Sequence, residues 1–383
     1  MLGRNHIMNR NFLKILRFSK IYGVSRTLVK ICGRVRRGIY WKPFCKKRDI
    51  LGIVGCGQFG FSTIAYFAMR NKFGFASCFD TDREQSEGFA KFFRVGKIAG
   101  SFEELLDNKE VSKLFIASNH FSHTEYACIA LEKGLDVHLE KPISVTFDQL
   151  KKLIEAKENS EGSLAVGYNR PYSEAVVYIR KKISGNLKPI SLNCFIAGHL
   201  IDSGHWYRIP REGTRICGNV GHWLDLAVHL FNVREVIPNI YNVTISYSNP
   251  ETDPDDNLSI SFSTDFGDIV NIMLTARSEP FEGINETINL QSGTIIAKID
   301  DYRSMQYWND SEYKKFKYRP KDVGHEGAIM QILSDDPGRE WREIEISTIL
   351  MLSIKEMVLK KETCHTIDIR KIFKDLERDS LTH

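Results

Sequence analysis

The chain has 383 residues, of which 42% are hydrophobic and 26% are charged, and its formal net charge is +5. These values are typical of a folded globular protein with two domains. No stretch approaches the roughly 18 consecutive apolar residues of a membrane span, and the basic N-terminus lacks the apolar core and cleavage site of a secretory signal.

The eight cysteines are scattered without CxxC pairs, which argues against a disulfide framework or a zinc site. We therefore expect a reduced, cytoplasmic protein without a metal centre. The cysteines are Cys32, Cys45, Cys56, Cys78, Cys128, Cys194, Cys217 and Cys364.

Positive charge is concentrated in residues 1–48, which contain 14 Lys and Arg and no Asp or Glu. Apolar and basic residues there alternate at helical spacing, which predicts a basic amphipathic helix. Such a helix packs on the body or a neighbouring subunit, or contacts an anionic membrane surface. No nucleic-acid module follows, so we expect no nucleic-acid partner. The apolar stripe is Val24, Leu28, Ile31, Cys32 and Val35, and the basic stripe is Arg26, Lys30, Arg34 and Arg37.

Residues 49–170 alternate short apolar strands with helices. Predicted strands lie at 49–54, 75–79, 114–117, 137–139 and 164–168, and predicted helices at 61–70, 82–93, 124–133 and 147–157. Ser101 and Glu104 form a capping box for a further helix. The alternation predicts an α/β domain with a doubly wound parallel sheet, that is, a Rossmann domain.

From residue 171 to residue 383 the pattern is richer in strands, which predicts an α+β domain with a large open, mainly antiparallel sheet. Helices are expected near 223–231 and 344–360, and 265–268 reads as a hairpin turn. An open sheet of this kind needs a cover, so we expect a homo-oligomer. The predicted strands lie at 190–196, 240–248, 258–264, 269–276, 287–291 and 294–299.

The first strand runs into Gly55-Cys56-Gly57-Gln58-Phe59-Gly60, a glycine-rich loop that opens a helix. This context predicts dinucleotide binding: one glycine makes the tight turn, the next admits the pyrophosphate, and the last lets the helix pack on the sheet. The helix N-terminus is suited to the phosphates. Asp80, at the end of the next strand, would bind the ribose hydroxyls and favours NAD. The guanidinium of Arg83 is suited to bind a 2′-phosphate, so NADP is the alternative cofactor.

Glu140-Lys141-Pro142 directly follows a predicted buried strand, which places Lys141 at the carboxyl edge where doubly wound sheets bind ligands. By position alone, a surface lysine paired with Glu140 is an equal alternative. Because of this Glu-Lys-Pro motif and several others, the chain resembles the glucose-fructose oxidoreductase and inositol dehydrogenase family, Gfo/Idh/MocA, over residues 49–370. Those motifs are the glycine loop, Ala117-Ser118-Asn119 with His123, Gly167-Tyr168-Asn169-Arg170, and a stretch around His222 and Asp225.

The resemblance implies a Rossmann domain that carries the nicotinamide cofactor and a C-terminal domain that binds substrate and forms oligomer contacts. It makes Lys141 the active-site lysine, whose ammonium stabilises alkoxide character as hydride leaves. For His123 a helix cap, and for Arg170 a plain salt bridge, are the alternatives. The cofactor positions of the family fall on Ser118, Asn119, His123, Glu140, Lys141 and Arg170.

Two histidines compete for the proton-transfer role. We favour His222, with Asp225 as its trailing acid, because a near-neutral pKa suits a histidine to pass the hydroxyl proton. Where the family often has a leading Asp, this chain has a glycine next to Asn219. If the family motif is instead aligned on His229, with Asp225 as its leading acid, His229 takes the proton-transfer role. Otherwise His229 is a packed or capping histidine.

His205-Trp206-Tyr207-Arg208 contains residue types that stack on sugar rings and bind anions, although a packed loop is the alternative. We take His205, Trp206, Arg208 and Asn219 as substrate contacts.

We therefore expect an NAD(P)-dependent oxidoreductase that acts on a hydroxyl-bearing carbon of a sugar, nucleotide-sugar or polyol. The alternatives are an NAD-dependent glycosidase, a reductase of biliverdin type or of small diols, and a non-enzymatic dinucleotide sensor. The presence of both Lys141 and His222 favours an enzyme.

Overall fold

The computed structural model describes residues 2–36, 48–235, 237–334 and 338–378. Cys45 and Arg37 therefore lie outside the described residues. The described backbone divides into two compact units. The first contains residues within 1–144, 148–168 and 325–338, and the second contains those within 145–147, 169–324 and 339–383. The sequence predicted a single boundary at residue 170. In the structure, residues 325–338 also belong to the first unit.

The first unit contains a six-stranded parallel sheet. Its strands are β1 (Arg48–Val54), β2 (Phe73–Phe79), β3 (Lys97–Ile98), β4 (Lys113–Ile116), β5 (Asp136–Leu139) and β6 (Leu164–Val166). The order across the sheet is β3-β2-β1-β4-β5-β6, with every neighbouring pair parallel. From β1, strands β2 and β3 extend the sheet to one side, and β4, β5 and β6 extend it to the other. Doubly wound sheets bind ligands at this switch point, between β1 and β4.

The second unit contains a nine-stranded sheet. Its strands are β7 (Ile190–Ala197), β8 (Ile240–Asn249), β9 (Asp253–Thr264), β10 (Ile269–Thr275), β11 (Asn285–Ser292), β12 (Ile295–Asp300), β13 (Ser304–Asn309), β14 (Glu312–Lys317) and β15 (Cys364–Asp368). Only the β7–β10 pair among them is parallel, and the order is β14-β13-β12-β11-β7-β10-β9-β8-β15. The predicted fold class is confirmed, and β3 in the first unit and β13, β14 and β15 in the second are additional to the predicted strands.

The helices pack beside these sheets. In chain order they are α1 (Leu2–Tyr22), α2 (Val24–Val35), α3 (Ala65–Arg70), α4 (Arg83–Phe93), α5 (Phe102–Leu106), α6 (His123–Glu132), α7 (Phe147–Glu158), α8 (Glu174–Ile183), α9 (Gly221–Asn232), α10 (His325–Met330), α11 (Trp341–Lys360) and α12 (Ile369–Arg378). A π-helical turn, Gly60–Ile64, precedes α3, and a second one, Ile216–Val220, precedes α9. Across the described helices, none combines the length and apolarity that a membrane crossing requires.

Local sequence chemistry accounts for several element boundaries. Asp82 caps α4 by accepting a hydrogen bond from the backbone N–H of Glu84, and Ser101 caps α5 in the same way through Glu104. The Glu104 carboxylate accepts from the N–H of Gly100, one residue before the expected capping-box partner. In the second unit, β7 alternates buried and exposed residues, as expected for a strand with one face on the core.

Candidate functional site

The glycine loop between β1 and α3 has the geometry of a dinucleotide turn. Gly55 has a φ of +90°, and a side chain there would clash with the carbonyl of Ala117 in the loop after β4. A side chain at Gly60 would clash with the carbonyl of Gly55, so the helix packs directly on the turn. At Gly57, by contrast, nothing lies within 4 Å of where a Cβ would be.

The space at Gly57 fits a pyrophosphate. The backbone is helical from Gln58 onward, through the π-helical turn Gly60–Ile64 and into α3. The first N–H groups of a helix have no carbonyl partner within the helix. A phosphate held there would meet backbone donors and the positive end of the helix dipole. The loop therefore fits a nicotinamide dinucleotide, which would be held by Gly57, Gln58, Phe59 and Gly60.

Asp80 lies at the carboxyl end of β2, beside the glycine loop. Its carboxylate accepts hydrogen bonds from the backbone N–H of Cys56 at 2.7 Å and of Asp82 at 2.9 Å. It therefore ties the loop to the second strand. Arg83 points elsewhere: its Nε pairs with the carboxylate of Glu87 at 3.0 Å on the exposed surface of α4.

Helix α2 reaches the same loop, which sequence reasoning missed. Arg36, which follows α2, donates from Nη2 to the carbonyl of Cys56 at 2.6 Å and from Nε to that of Gly33 at 2.7 Å. Its guanidinium lies 4.5 Å from the ring centre of Phe61. The Gln58 side chain donates to the carbonyl of Lys30 at 3.2 Å. The glycine loop is thus braced from the N-terminal segment as well as from Asp80.

The loop after β4 carries Ser118 and Asn119, and both belong to a local hydrogen-bond cluster with Ser122. The hydroxyls of Ser118 and Ser122 are 2.8 Å apart, and Ser122 donates to the side-chain oxygen of Asn119 at 2.7 Å. Ser118 is half-buried and Asn119 is exposed. These groups lie one strand away from the glycine loop.

His123 joins the loops after β4 and β5. It is fully enclosed, with Nδ1 2.8 Å from the carbonyl of Pro142 and Nε2 3.1 Å from that of Ser118. Burial lowers the pKa of His123, which favours the neutral ring. A neutral imidazole has one N–H and so donates to one of the two carbonyls. The geometry gives His123 the position of a brace.

Glu140 and Lys141 follow β5 at the carboxyl edge of the sheet. The Glu140 carboxylate is buried, lies 3.2 Å from Nε2 of His138, and packs against Gly167, where a Cβ would clash with it. The Lys141 side chain is half-buried. Because β5 neighbours β4, which neighbours β1, the residue after β5 lies at the same edge as the glycine loop.

In the second unit, His222 is the second residue of α9 and follows the π-helical turn. It is half-buried, whereas the residues on either side of it, Gly221 and Trp223, are buried. Asn219 lies in the π-helical turn and is also half-buried. The segment therefore presents Asn219 and His222 away from the core.

Arg170 lies in the second unit, inside a buried cluster next to α9. Its Nε and Nη2 each donate to the carboxylate of Glu286 at 2.9 Å, and its guanidinium is 4.3 Å from the ring centre of Trp223. The Trp223 indole N–H donates to the same carboxylate at 2.7 Å. This arrangement corresponds to the salt-bridge alternative for Arg170 and fixes the first turn of α9.

Asp225 and His229 point to the opposite side, into a buried ionic network between α9 and α11. Both oxygens of Asp225 accept from Arg339 at 2.9 Å, and Nδ1 of His229 lies 2.8 Å from Glu343. Arg339 also contacts Glu343. Burial raises the pKa of Asp225 to about 6 against the effect of Arg339, and burial lowers the pKa of His229 to about 4.

The predicted substrate loop packs beside the π-helical turn. The Tyr207 ring lies where a side chain at Gly218 would be, four residues before His222 and therefore on the same helical side. Trp206 stacks near His205, with ring centres 5.9 Å apart, and keeps 38% of its surface exposed. Burial raises the pKa of Tyr207 to about 12.

Four charged residues under this loop form a compensated cluster. Arg208 contacts Asp255 at 3.3 Å and Asp256 at 2.5 Å, while the buried Arg215 contacts Asp256 at 2.8 Å. Two cations thus face two carboxylates. No cluster of three or more His, Cys, Asp or Glu side chains suited to a metal occurs in the portion of the chain that the structure covers.

Sequence reasoning missed the residues that complete these clusters. Glu286, Arg339 and Glu343 belong to no motif, and each lies more than 100 residues from its partner Arg170, Asp225 or His229 along the chain. One signal was available: charged residues within apolar runs, such as Glu343 and Glu345 in α11, need buried partners.

Part of the first unit is similar to a known protein family. Residues 51–168 match the family model GFO_IDH_MocA, described as "Oxidoreductase family, NAD-binding Rossmann fold". The chain is 27% identical over 159 residues to 1-carboxy-3-chloro-3,4-dihydroxycyclohexa-1,5-diene dehydrogenase of Comamonas testosteroni, which covers 42% of this chain and 36% of that one. It is 25% identical over 187 residues to glucose-6-phosphate 3-dehydrogenase of Bacillus subtilis, covering 48% and 52%. The chain thus spans about a third to a half of these relatives.

Solved structures share the fold over more of the chain. Levoglucosan dehydrogenase in complex with NADH and levoglucosan superposes with a TM-score of 0.69 at 15% identity, covering 84% of this chain and 100% of that one. A dehydrogenase (MviM) from Clostridium difficile superposes with a TM-score of 0.64 at 19% identity, covering 82% and 100%. At such identities the likeness concerns the fold.

Proposed function

We propose that the chain is a dehydrogenase acting on a hydroxyl-bearing carbon of a sugar or polyol, because residues 51–168 match the family model GFO_IDH_MocA, described as an NAD-binding Rossmann fold of an oxidoreductase family. The observation that carries the proposal is the carboxyl edge of the parallel sheet. There the glycine loop follows β1 and Lys141 follows β5, with β4 between them. Bound NAD would accept the hydride from the substrate carbon.

Lys141 is assigned to the reacting hydroxyl. A half-buried ammonium at the sheet edge stabilises negative charge that develops on an oxygen, and it does so more strongly there than in bulk water. Glu140 beside it faces Gly167 and His138, so its carboxylate is engaged away from that position.

His222 is assigned to proton transfer, in preference to His229. His222 is half-buried, whereas His229 is buried and held by Glu343. Asp225 acts as a positioning residue in this proposal, because its ion pair with Arg339 holds α9 against α11. Arg170 positions the same helix through Glu286 and Trp223.

The substrate class follows from the loop around His205 to Arg208. The partly exposed Trp206 offers a flat apolar surface to a sugar ring. The charges of Arg208 and Arg215 are met by Asp255 and Asp256, which favours an uncharged sugar or polyol over a phosphorylated one or a nucleotide-sugar. We place the reaction in the cytoplasm and expect a homo-oligomer, covered on the open sheet of the second unit.

The test is turnover of NAD and NADP with a panel of polyols, free sugars, sugar phosphates and nucleotide-sugars, followed by absorbance of the reduced cofactor and mass analysis of products. For the best substrate, Lys141→Ala is expected to lower kcat by roughly 10²–10³-fold, the effect of removing one group that stabilises a developing oxyanion. NAD affinity, measured by fluorescence titration, should change little.

Lys133→Ala is the matched control, because Lys133 is an exposed lysine of the same unit that pairs with Asp107; its kcat should equal that of the wild type. Full turnover by Lys141→Ala would refute the assignment of Lys141. Substrate cleavage without net reduced cofactor would identify a glycosidase, and cofactor binding without any turnover would identify a sensor.

A further inference from the structure

Helix α2 is docked on the first unit through small, polar and apolar residues. Thr27, Val29 and Gly33 are buried, and the Ser25 hydroxyl lies 2.8 Å from that of Tyr66. With the Arg36 contacts to the glycine loop, these interactions fix which side of α2 faces outward. Of the predicted apolar stripe, Cys32 packs against the core of the first unit and Ile31 is half-buried, whereas Val24, Leu28 and Val35 are exposed.

Seven large apolar side chains of α1 and α2 are nevertheless exposed. Val24, Leu28 and Val35 share one side of α2, since they are separated by four and seven residues. On α1, four large apolar side chains within five residues are also exposed. The exposed fractions are 60% for Phe12, 51% for Leu13, 42% for Ile15, 42% for Leu16, 65% for Val24, 41% for Leu28 and 53% for Val35.

The same segment is strongly basic. Residues 1–48 hold 14 Lys and Arg and no acidic residue, and Arg17, Lys20 and Arg34 are exposed beside the apolar side chains. Burial, together with the charges of Arg34 and Arg26, lowers the pKa of Lys30 to about 8.

The exposed apolar side chains and the positive charge together indicate which partner binds α1 and α2. A second copy of the chain would cover the apolar residues but bring two basic segments together, which costs Coulomb energy. A nucleic acid would satisfy the charge but leave the apolar side chains in water. The interface of an anionic bilayer accepts both, because apolar side chains enter the acyl boundary while basic ones meet the headgroups.

We propose that residues 12–35, the N-terminal helical pair, bind the surface of a bilayer that contains anionic phospholipid. The pair lies on the membrane as a peripheral element, and α2 links it directly to the glycine loop. This inference is independent of the proposed dehydrogenase activity.

The experiment is co-sedimentation of the full chain with large unilamellar vesicles of phosphatidylcholine alone or with 30 mol% phosphatidylserine, at low and at high salt. The wild type should bind the phosphatidylserine vesicles and release at high salt, because salt screens the headgroup attraction. Leu13→Ser/Leu16→Ser/Leu28→Ser and Lys20→Gln/Arg34→Gln should each weaken binding at least tenfold. All these residues are exposed, so circular dichroism and thermal unfolding should match the wild type.

Leu187→Ser is the matched control, because Leu187 is 75% exposed but lies in the second unit; it should bind as the wild type does. Absence of wild-type binding, or equal binding by the wild type and the triple leucine variant, would overturn the proposal. If that variant instead converted a dimer to a monomer in sedimentation velocity while vesicle binding was absent, the occupant would be a second copy of the chain. Cofactor turnover is measured in parallel and does not bear on the outcome.

Discussion

At the glycine loop, the space beside Gly57 has no neighbour within 4 Å, whereas the α9–α11 interface buries Asp225, His229, Arg339 and Glu343 against one another. The first region keeps backbone donors and space for a ligand. The second pairs charged and polar groups with one another where water is excluded. A binding region must leave interactions unmade, while a structural one becomes costly when any partner is missing.

The largest effect is expected in the buried network. Arg339→Ala leaves Asp225 and Glu343 as uncompensated buried charges, so it should lower the free energy of unfolding by about 3–5 kcal/mol. Urea unfolding followed by far-UV circular dichroism measures the change. Lys360 lies at the exposed end of α11, 3.8 Å from Glu356. Lys360→Ala should therefore lower the free energy of unfolding by less than about 1 kcal/mol. Equal losses in both variants would contradict the contrast.

The pH dependence of stability is the second test. Burial lowers the pKa of His229 to about 4, whereas an unfolded histidine titrates near 6.5. The contribution of the neutral His229 is complete above pH 6.5, and it is lost as pH falls towards 4, because the unfolded state then binds a proton that the folded state resists. The loss approaches about 3 kcal/mol.

His229→Gln isolates this contribution, because other titrating groups, Asp225 among them, are common to both proteins. Urea unfolding of the wild type and the variant at pH 7.5, 5.5 and 4.5 should show the advantage of the wild type shrinking as pH falls. A constant difference across the range would mean that His229 is not held neutral.

The smallest effect sharpens the other side of the comparison. Gly57→Ala adds a methyl group to open space, so it should leave the free energy of unfolding unchanged but weaken NAD binding about tenfold, or about 1.4 kcal/mol. Gly60→Ala meets the carbonyl of Gly55 and should destabilise the fold by about 1–3 kcal/mol. Fluorescence titration and thermal unfolding separate the two. Unchanged NAD affinity in Gly57→Ala would place the pyrophosphate elsewhere.

Local sequence patterns predicted five of the six strands of the parallel sheet, all except β3, together with the cap of α5 at Ser101 and the glycine loop. Each depends on residues within a few positions of one another, whose backbone preferences and hydrogen bonds act before any tertiary contact forms. The strands β13, β14 and β15 escaped prediction, and β14 and β15 are the two edges of their sheet. The strand β14, for example, is mostly exposed and lysine-rich, which blurs the alternation that identifies a strand.

The sequence by itself determined the alternation of strands and helices in the first unit, the glycine-rich loop and the lysine that follows β5, because spacing along the chain encodes them. Only the tertiary structure decided that Arg170 pairs with Glu286, that His229 is enclosed by Glu343, and that α2 meets the glycine loop through Arg36. Those pairings join distant parts of the chain, and a charged residue carries no local signal of which opposite charge it will meet. Folding selects the partner, since a buried charge without one is too costly to keep.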